Sequence, residues 1–245
     1  MGTCPELKDG MLTVAGTTLQ LTVGTKPGPA YFYWHGTSLH YDEVERGLPK
    51  ATADTKTEGG MVASFETTNS KGTNTANAVW YTGDFDVVDQ LLACGIQKGL
   101  VDTKRIYTAG YSAGGIQACA MATTHAKYLA AAICYSGGAA IFRGAPQDKS
   151  NLPPVLLPHG AAGSDVLIID MAQGSVAWEA DYVKAGGFAI DCMDGGDHIA
   201  SSATRLGLGG HAMEFLKAHP YGVRPEPYSA GLPSGWPDYC KIAKP

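Results

Sequence analysis

Three residues, far apart in a chain of 245, would together make a nucleophile: Ser112, Asp165 and His198. Ser112 stands in Gly110-Tyr111-Ser112-Ala113-Gly114, entered by the apolar run Arg105 to Ala109 and followed by the small-residue segment Ile116 to Thr124. That order reads strand, tight turn, helix, with the hydroxyl at the tip and glycines where side chains would collide. A serine hydroxyl is a weak nucleophile at its own pKa and needs a base within hydrogen-bond reach. Of seven histidines, His198 in Gly195-Gly196-Asp197-His198 follows the last predicted strand, where the base of such an elbow falls. The base in turn needs a carboxylate to fix its tautomer and steady its charged form. Asp165, in the small-residue loop from His159 to Val166, is favoured for this over Asp170. The apolar run Val166 to Ile169 places Asp170 at the start of another segment, and Asp194 and Asp197 lie too near His198 in sequence. A developing oxyanion needs two fixed backbone donors. Ala113 N–H would be one and Thr37 N–H, in His35-Gly36-Thr37-Ser38, the other. The chemistry such a set performs is acyl transfer.

The elements that must position these groups alternate. Met11 to Leu21 alternates around Gly16-Thr17 as a leading hairpin. Ala30 to Trp34 is an aromatic strand ending in His35-Gly36, and Met61 to Glu66 is another, followed by a polar loop from Asn69 to Asn77. Phe85, Val88, Leu91, Leu92 and Ile96 fall at helical spacing, with Asp84 as N-cap and Gly99 as the stop. After the elbow come strands at Leu129 to Tyr135 and Pro154 to Pro158, a helix at Ser175 to Ala185, the last strand at Phe188 to Met193 and a helix at Gly210 to Ala218. The tail from 220 to 245 is rich in Pro and Tyr and reads as irregular, packed along the surface or bordering the site. Strands alternating with helices predict one α/β domain over 1–245, built on a mainly parallel central sheet with helices on both faces. Ligands of such sheets bind beyond the carboxyl ends of the strands, and each suggestive segment falls there. No insertion after the elbow is large enough for a helical lid, so an open groove is expected, with Trp34 and Tyr111 lining it. His35, His159, His211 and His219 read as structural, and Trp178 as core packing.

A net charge of −5 offers no basic stripe to displace counterions from nucleic acid. No apolar run is long enough to span a bilayer. The six cysteines are spread widely without close ligand pairs, so metal binding is discounted. They suit up to three disulfides in an exported protein, with Cys119 and Cys134 as buried thiols the alternative. Met1-Gly2-Thr3-Cys4-Pro5 reads as a start methionine on a mature domain, any leader lying outside the sequence.

With these pieces in order, the chain resembles the α/β-hydrolase superfamily. More narrowly, it resembles extracellular polyhydroxybutyrate depolymerases and feruloyl or acetylxylan esterases, from about Tyr31 to Tyr221. The resemblance is carried by Tyr33-Trp34-His35-Gly36-Thr37, Tyr81-Thr82-Gly83-Asp84-Phe85 through Cys94, and Asp102-Thr103-Lys104-Arg105-Ile106-Tyr107 entering the elbow. His159-Gly160 with Asp165-Val166, and Gly195-Gly196-Asp197-His198, complete it. The chain departs from the pattern in its longer spacing from His159-Gly160 to the acid, and in Asp197 where a third glycine is usual. The resemblance implies a secreted serine esterase working through an acyl-enzyme without metal or cofactor, on hydroxyalkanoate, feruloyl or acetyl-polysaccharide, or aromatic polyester substrates such as polyethylene terephthalate. A monomer whose partner is its ester or polymer substrate is expected. The alternative is a catalytically silent module of the same fold that binds polysaccharide or a surface partner.

Overall fold

The computed structural model describes residues 4–67, 80, 82–138 and 146–244. The first three residues of the start segment, the polar loop from Asn69 to Asn77 and Tyr81 of the resemblance lie outside them. The alternating N-terminal stretch forms a hairpin of β1 (Gly10–Val14) and β2 (Thr17–Val23). Its turn is Ala15-Gly16, not Gly16-Thr17: Ala15 and Gly16 hold the positive φ values, 49° and 89°, that match the twist of a two-residue connection. β3 (Gly28–Trp34) and β4 (Met61–Thr67) follow as expected. Between them lie two helices that apolar spacing did not announce, α1 (Val44–Gly47), entered by a 3-10 turn at Tyr41–Glu43, and α2 (Ala51–Glu58). Only Ala51 and Thr55 of α2 are buried, so it carries no apolar stripe to read.

α3 (Phe85–Gln97) buries Phe85, Val88, Leu91 and Leu92 as their spacing requires. Asp84 holds the N-cap position as expected, but its side chain makes no cap hydrogen bond. Its carboxylate, fully buried, instead accepts the Thr17 hydroxyl at 2.8 Å and ties the helix to the hairpin. Next come β5 (Val101–Tyr111), α4 (Ala113–Thr124), β6 (Ala131–Tyr135) and β7 (Val155–His159). The chain ends through α5 (Met171–Lys184), β8 (Ala189–Met193), α6 (Ser202–Leu206), α7 (Gly209–Ala218) and β9 (Cys240–Ile242). α5 starts four residues before the expected Ser175 because Asp170 caps it, accepting the Gln173 amide at 2.9 Å.

The strands lie in one sheet, ordered β1-β2-β4-β3-β5-β6-β7-β8-β9. β4 through β8 pair in parallel, and β1, β2 and β9 add antiparallel edges. Phe32 and Trp34 of β3 face a core layer with Phe85, Val88, Met121 and Trp178. Tyr31 and Tyr33 face the opposite layer with Val44, Ala51, Phe215 and Leu216. Helices thus cover both faces, and β3, β5, β6, β7 and β8 all end on one rim. Among the described residues no helix lies between β6 and β7.

The tail is not wholly irregular, since β9 pairs with β8 and sets Cys240 opposite Cys192, to which it is bonded. The other disulfides join Cys4 to Cys94 and Cys119 to Cys134. The reading of Cys119 and Cys134 as free thiols is therefore replaced by a bridge from α4 to β6. The Cys192–Cys240 bridge closes a span of 48 residues. Replacing both cysteines by alanine should remove about 2–4 kcal/mol, chiefly by freeing the unfolded chain. An unchanged Tm in the double variant would mean that this bridge contributes nothing.

Candidate active site

The turn after β5 builds the site. Ser112 has φ 55° and ψ −118°, a backbone conformation that costs an L residue on the order of 1–3 kcal/mol. Its amide donates to the Tyr135 carbonyl at 2.8 Å and its carbonyl accepts from Ile116 at 2.9 Å, which pins the turn between β6 and α4. Gly114 is required by close approach: a Cβ there would sit 1.8 Å from the Trp34 carbonyl oxygen. With every residue from Ala113 to Thr123 buried, the small side chains of α4 bring its N-terminus against the ends of β3 and β6.

Two loops from other strand ends complete a relay. Ser112 Oγ lies 2.8 Å from His198 Nε2, and His198 Nδ1 lies 2.6 Å from Asp165 Oδ1. All three residues are at most 4% exposed. The structure thus brings Ser112, His198 and Asp165 together and leaves Asp170 to cap α5 and to accept the Gly163 amide at 2.7 Å. The extra residues before Asp165 are absorbed in a turn, where the Ser164 and Asp165 amides donate to the Ala161 carbonyl at 3.0 and 2.9 Å. Asp197, in the place of a third glycine, accepts the amides of Ile199 and Ala200 and so caps the turn behind the imidazole.

The second oxygen of Asp165 accepts the Gly160 amide at 2.8 Å and the Ser136 hydroxyl at 3.0 Å, from the ends of β7 and β6. Arg205, fully buried on α6, stands behind the acid. Its Nη1 is 3.1 Å from Ser136 Oγ and 3.4 Å from Asp165 Oδ1, Nη2 donates to the Asp197 carbonyl at 2.7 Å, and Nε is 3.0 Å from Asp194. Burial alone would raise the Asp165 carboxyl, but the hydrogen bonds from His198 and Gly160 and the Arg205 charge outweigh it and hold the group below its ordinary 3.8. A depressed folded-state pKa contributes stability above the unfolded value and loses it as pH falls through the folded one, so this contribution should be intact above about pH 4 and fall away progressively below it. Arg205→Ala would leave two buried carboxylates without their cation. It should cost about 3–5 kcal/mol in urea unfolding at neutral pH, and a cost under about 1 kcal/mol would contradict this role.

Ala113 opens α4, where the first amides have no partner within the helix. Thr37 lies in the loop after β3, half-buried, and that loop abuts the elbow: a Cβ on Gly36 would be 2.9 Å from Tyr111 Cδ1. His35 braces the loop, with Nδ1 2.7 Å from the Gly36 carbonyl and Nε2 3.0 Å from the Glu66 carbonyl, and the Trp80 indole donates to the His35 carbonyl at 2.8 Å. His159 is likewise structural. Its Nε2 lies 2.8 Å from Asp191, and although burial opposes its charge, Asp191 and the Gly160 carbonyl hold its pKa above the ordinary value.

Both aromatics expected to line a groove are buried. Trp34 is fully buried, stacked on Phe65 at 3.9 Å with its indole donating to Thr108 at 3.1 Å, so it is core packing. Tyr111 is 5% exposed; its ring stacks on the His198 imidazole at 5.4 Å and 17°, and its hydroxyl donates to the His198 carbonyl. It supports the imidazole from behind. Sequence reading missed Arg205 and Ser136, which meet Asp165 only because α6 and the ends of β6 and β7 converge, and no local pattern marks them.

By sequence the chain matches no protein-family model and no curated protein. By structure it is similar to native pOPH, with a TM-score of 0.70 at 15% identity over 98% of this chain and 96% of that one. A hyperthermophilic esterase from the archaeon Pyrobaculum calidifontis matches at 0.60 and 16% identity, over 87% of this chain and 85% of that one. A bacterial heroin esterase matches at 0.60 and 14%, over 85% and 83%. At these identities the likeness is one of fold.

Proposed function

We propose that this chain, which has the α/β-hydrolase fold, is a secreted serine esterase that cleaves carboxylic esters through an acyl-enzyme. The observation that carries this reading is the relay from Ser112 Oγ through His198 to Asp165, at 2.8 and 2.6 Å. In the first half-reaction His198 Nε2 takes the Ser112 proton as Oγ attacks the ester carbonyl. The Ala113 and Thr37 amides receive the oxyanion, and Asp165 steadies the imidazolium. Collapse expels the alcohol, which takes the proton from His198. Water then enters, loses a proton to His198 and attacks the acyl carbon, and collapse releases the acid as His198 returns that proton to Ser112 Oγ.

Esterase neighbours of the same fold agree with this chemistry without fixing a substrate. Ile168 is 82% exposed and Ile199 69%, three residues from Asp165 and one from His198. Large aliphatic side chains left in water on the two loops that carry the acid and the base favour apolar acyl groups or polymer chains over sugars alone. The three disulfides suit an oxidising, extracellular setting. No described helix is long and apolar enough to cross a membrane. The deciding experiment is a panel of soluble p-nitrophenyl acyl, feruloyl, acetyl-xylan, hydroxybutyrate and terephthalate esters. Turnover of apolar acyl or polyester members is expected, and failure on every ester would end the reading.

A further inference from the structure

A buried acid that the relay does not use sits behind the loop after β3. Glu43, in the 3-10 turn before α1, is 1% exposed. Its Oε1 accepts the Tyr33 hydroxyl at 2.9 Å and the Gly36 amide at 3.2 Å. Gly36 is in contact with Tyr111, the residue before the nucleophile, and immediately precedes Thr37. A carboxyl group is costly to bury unless its oxygens are used, and here Oε1, with Oε2 at 3.5 Å from the same Gly36 amide, fastens the start of this loop to the body of the protein. Tyr33 is itself wholly buried and closely packed, since a Cβ on Gly47 would lie 2.4 Å from its hydroxyl oxygen. The anchor is therefore rigid, and what it holds is the backbone that must present an amide to the reacting carbonyl.

We propose that Glu43 is a positioning residue for the oxyanion: its Oε1 fixes the Gly36 amide and thereby sets the Thr37 amide opposite Ser112. The proposal rests on the serine esterase reading. Oxyanion donors act only when they already stand at hydrogen-bond distance from where the charge develops, so a small retreat of the anchor should weaken the transition state more than substrate binding. What matters on this account is the reach of the acceptor oxygen. Burial pushes the Glu43 carboxyl up to about 7, against the Tyr33 and Gly36 hydrogen bonds and the nearby Arg46 charge, with Asp42 adding repulsion. The Tyr111 and Tyr135 hydroxyls are also within its electrostatic reach. Assays run well above that value keep the carboxylates of wild type and an aspartate variant ionised.

Glu43→Asp keeps the charge and withdraws the oxygens by about 1.5 Å, whereas Glu43→Gln keeps the oxygen in place and removes the charge. With p-nitrophenyl butyrate, Glu43→Asp should lower kcat at least about tenfold, bounded by the roughly 10²–10³-fold loss of a whole oxyanion donor, with KM within about twofold. Glu43→Gln should stay within about threefold of wild type. Wild-type turnover in Glu43→Asp, a loss confined to KM, or a Gln variant falling as far as Asp would overturn the proposal while the esterase reading stands. A wild-type protein that cleaves no ester would instead bring down that reading, and this one with it.

Discussion

Ser112→Ala should lower kcat for p-nitrophenyl butyrate on the order of 10⁶-fold and leave the fold unchanged. Losses of that size are typical when the nucleophile of such a relay is removed, because base and acid have nothing left to activate. The hydroxyl sits in the turn after β5 with the His198 imidazole as its partner at 2.8 Å, so its removal disturbs little else. Residual turnover should come from the Ala113 and Thr37 amides and from substrate binding alone. Unfolding by urea should be within about 1.5 kcal/mol of wild type, the net worth of the one hydrogen bond lost. A variant with intact turnover would show that hydrolysis uses another group.

Asp165→Asn should cost on the order of 10⁴ in kcat, and Asp170→Asn only a few-fold. The groups facing Asp165 are His198 Nδ1, the Gly160 amide, the Ser136 hydroxyl and Arg205, all able to donate. An asparagine there must turn its NH₂ toward a donor. It then either breaks the Gly160 contact or faces Nδ1, which forces the proton onto Nε2, where it can no longer take one from serine. Asp170 caps α5, a task that asparagine performs about as well. If the Asp170 variant lost several decades of rate and the Asp165 variant did not, the acid in the relay would be wrongly assigned.

Much of this site is legible in the sequence because its parts are local. The elbow is a strand, a strained serine and glycines in one stretch, and His198 and Asp165 stand in glycine- or alanine-rich loops after predicted strands. Glu43, Ser136 and Arg205 belong to the same site and leave no such trace. Each acts on a partner that tertiary folding supplies: Gly36 from the end of β3, Asp165 from beyond β7, Asp194 from beyond β8. The burial of Trp34 is hidden from the sequence for a related reason. A strand buried on both faces has no polar alternation to say which side chains reach water, so its aromatics look equally available. α2, with two buried residues in eight, and β9, three residues in a Pro-rich tail, fall below what periodicity can detect. The hairpin turn falls one residue before Gly16-Thr17 because Ala15 and Gly16 take the positive φ values, and Thr17 opens β2 with its hydroxyl on Asp84.

The central claim is that the Ser112 hydroxyl is activated by His198, and covalent capture tests it without knowledge of the natural ester. Treated with a fluorophosphonate and examined by intact mass and peptide mapping, the wild-type chain should take up one phosphonyl group, on Ser112, and His198→Ala should take it up far more slowly. A chain that stays unlabelled, carries the adduct elsewhere, or reacts equally fast without His198 would contradict the account.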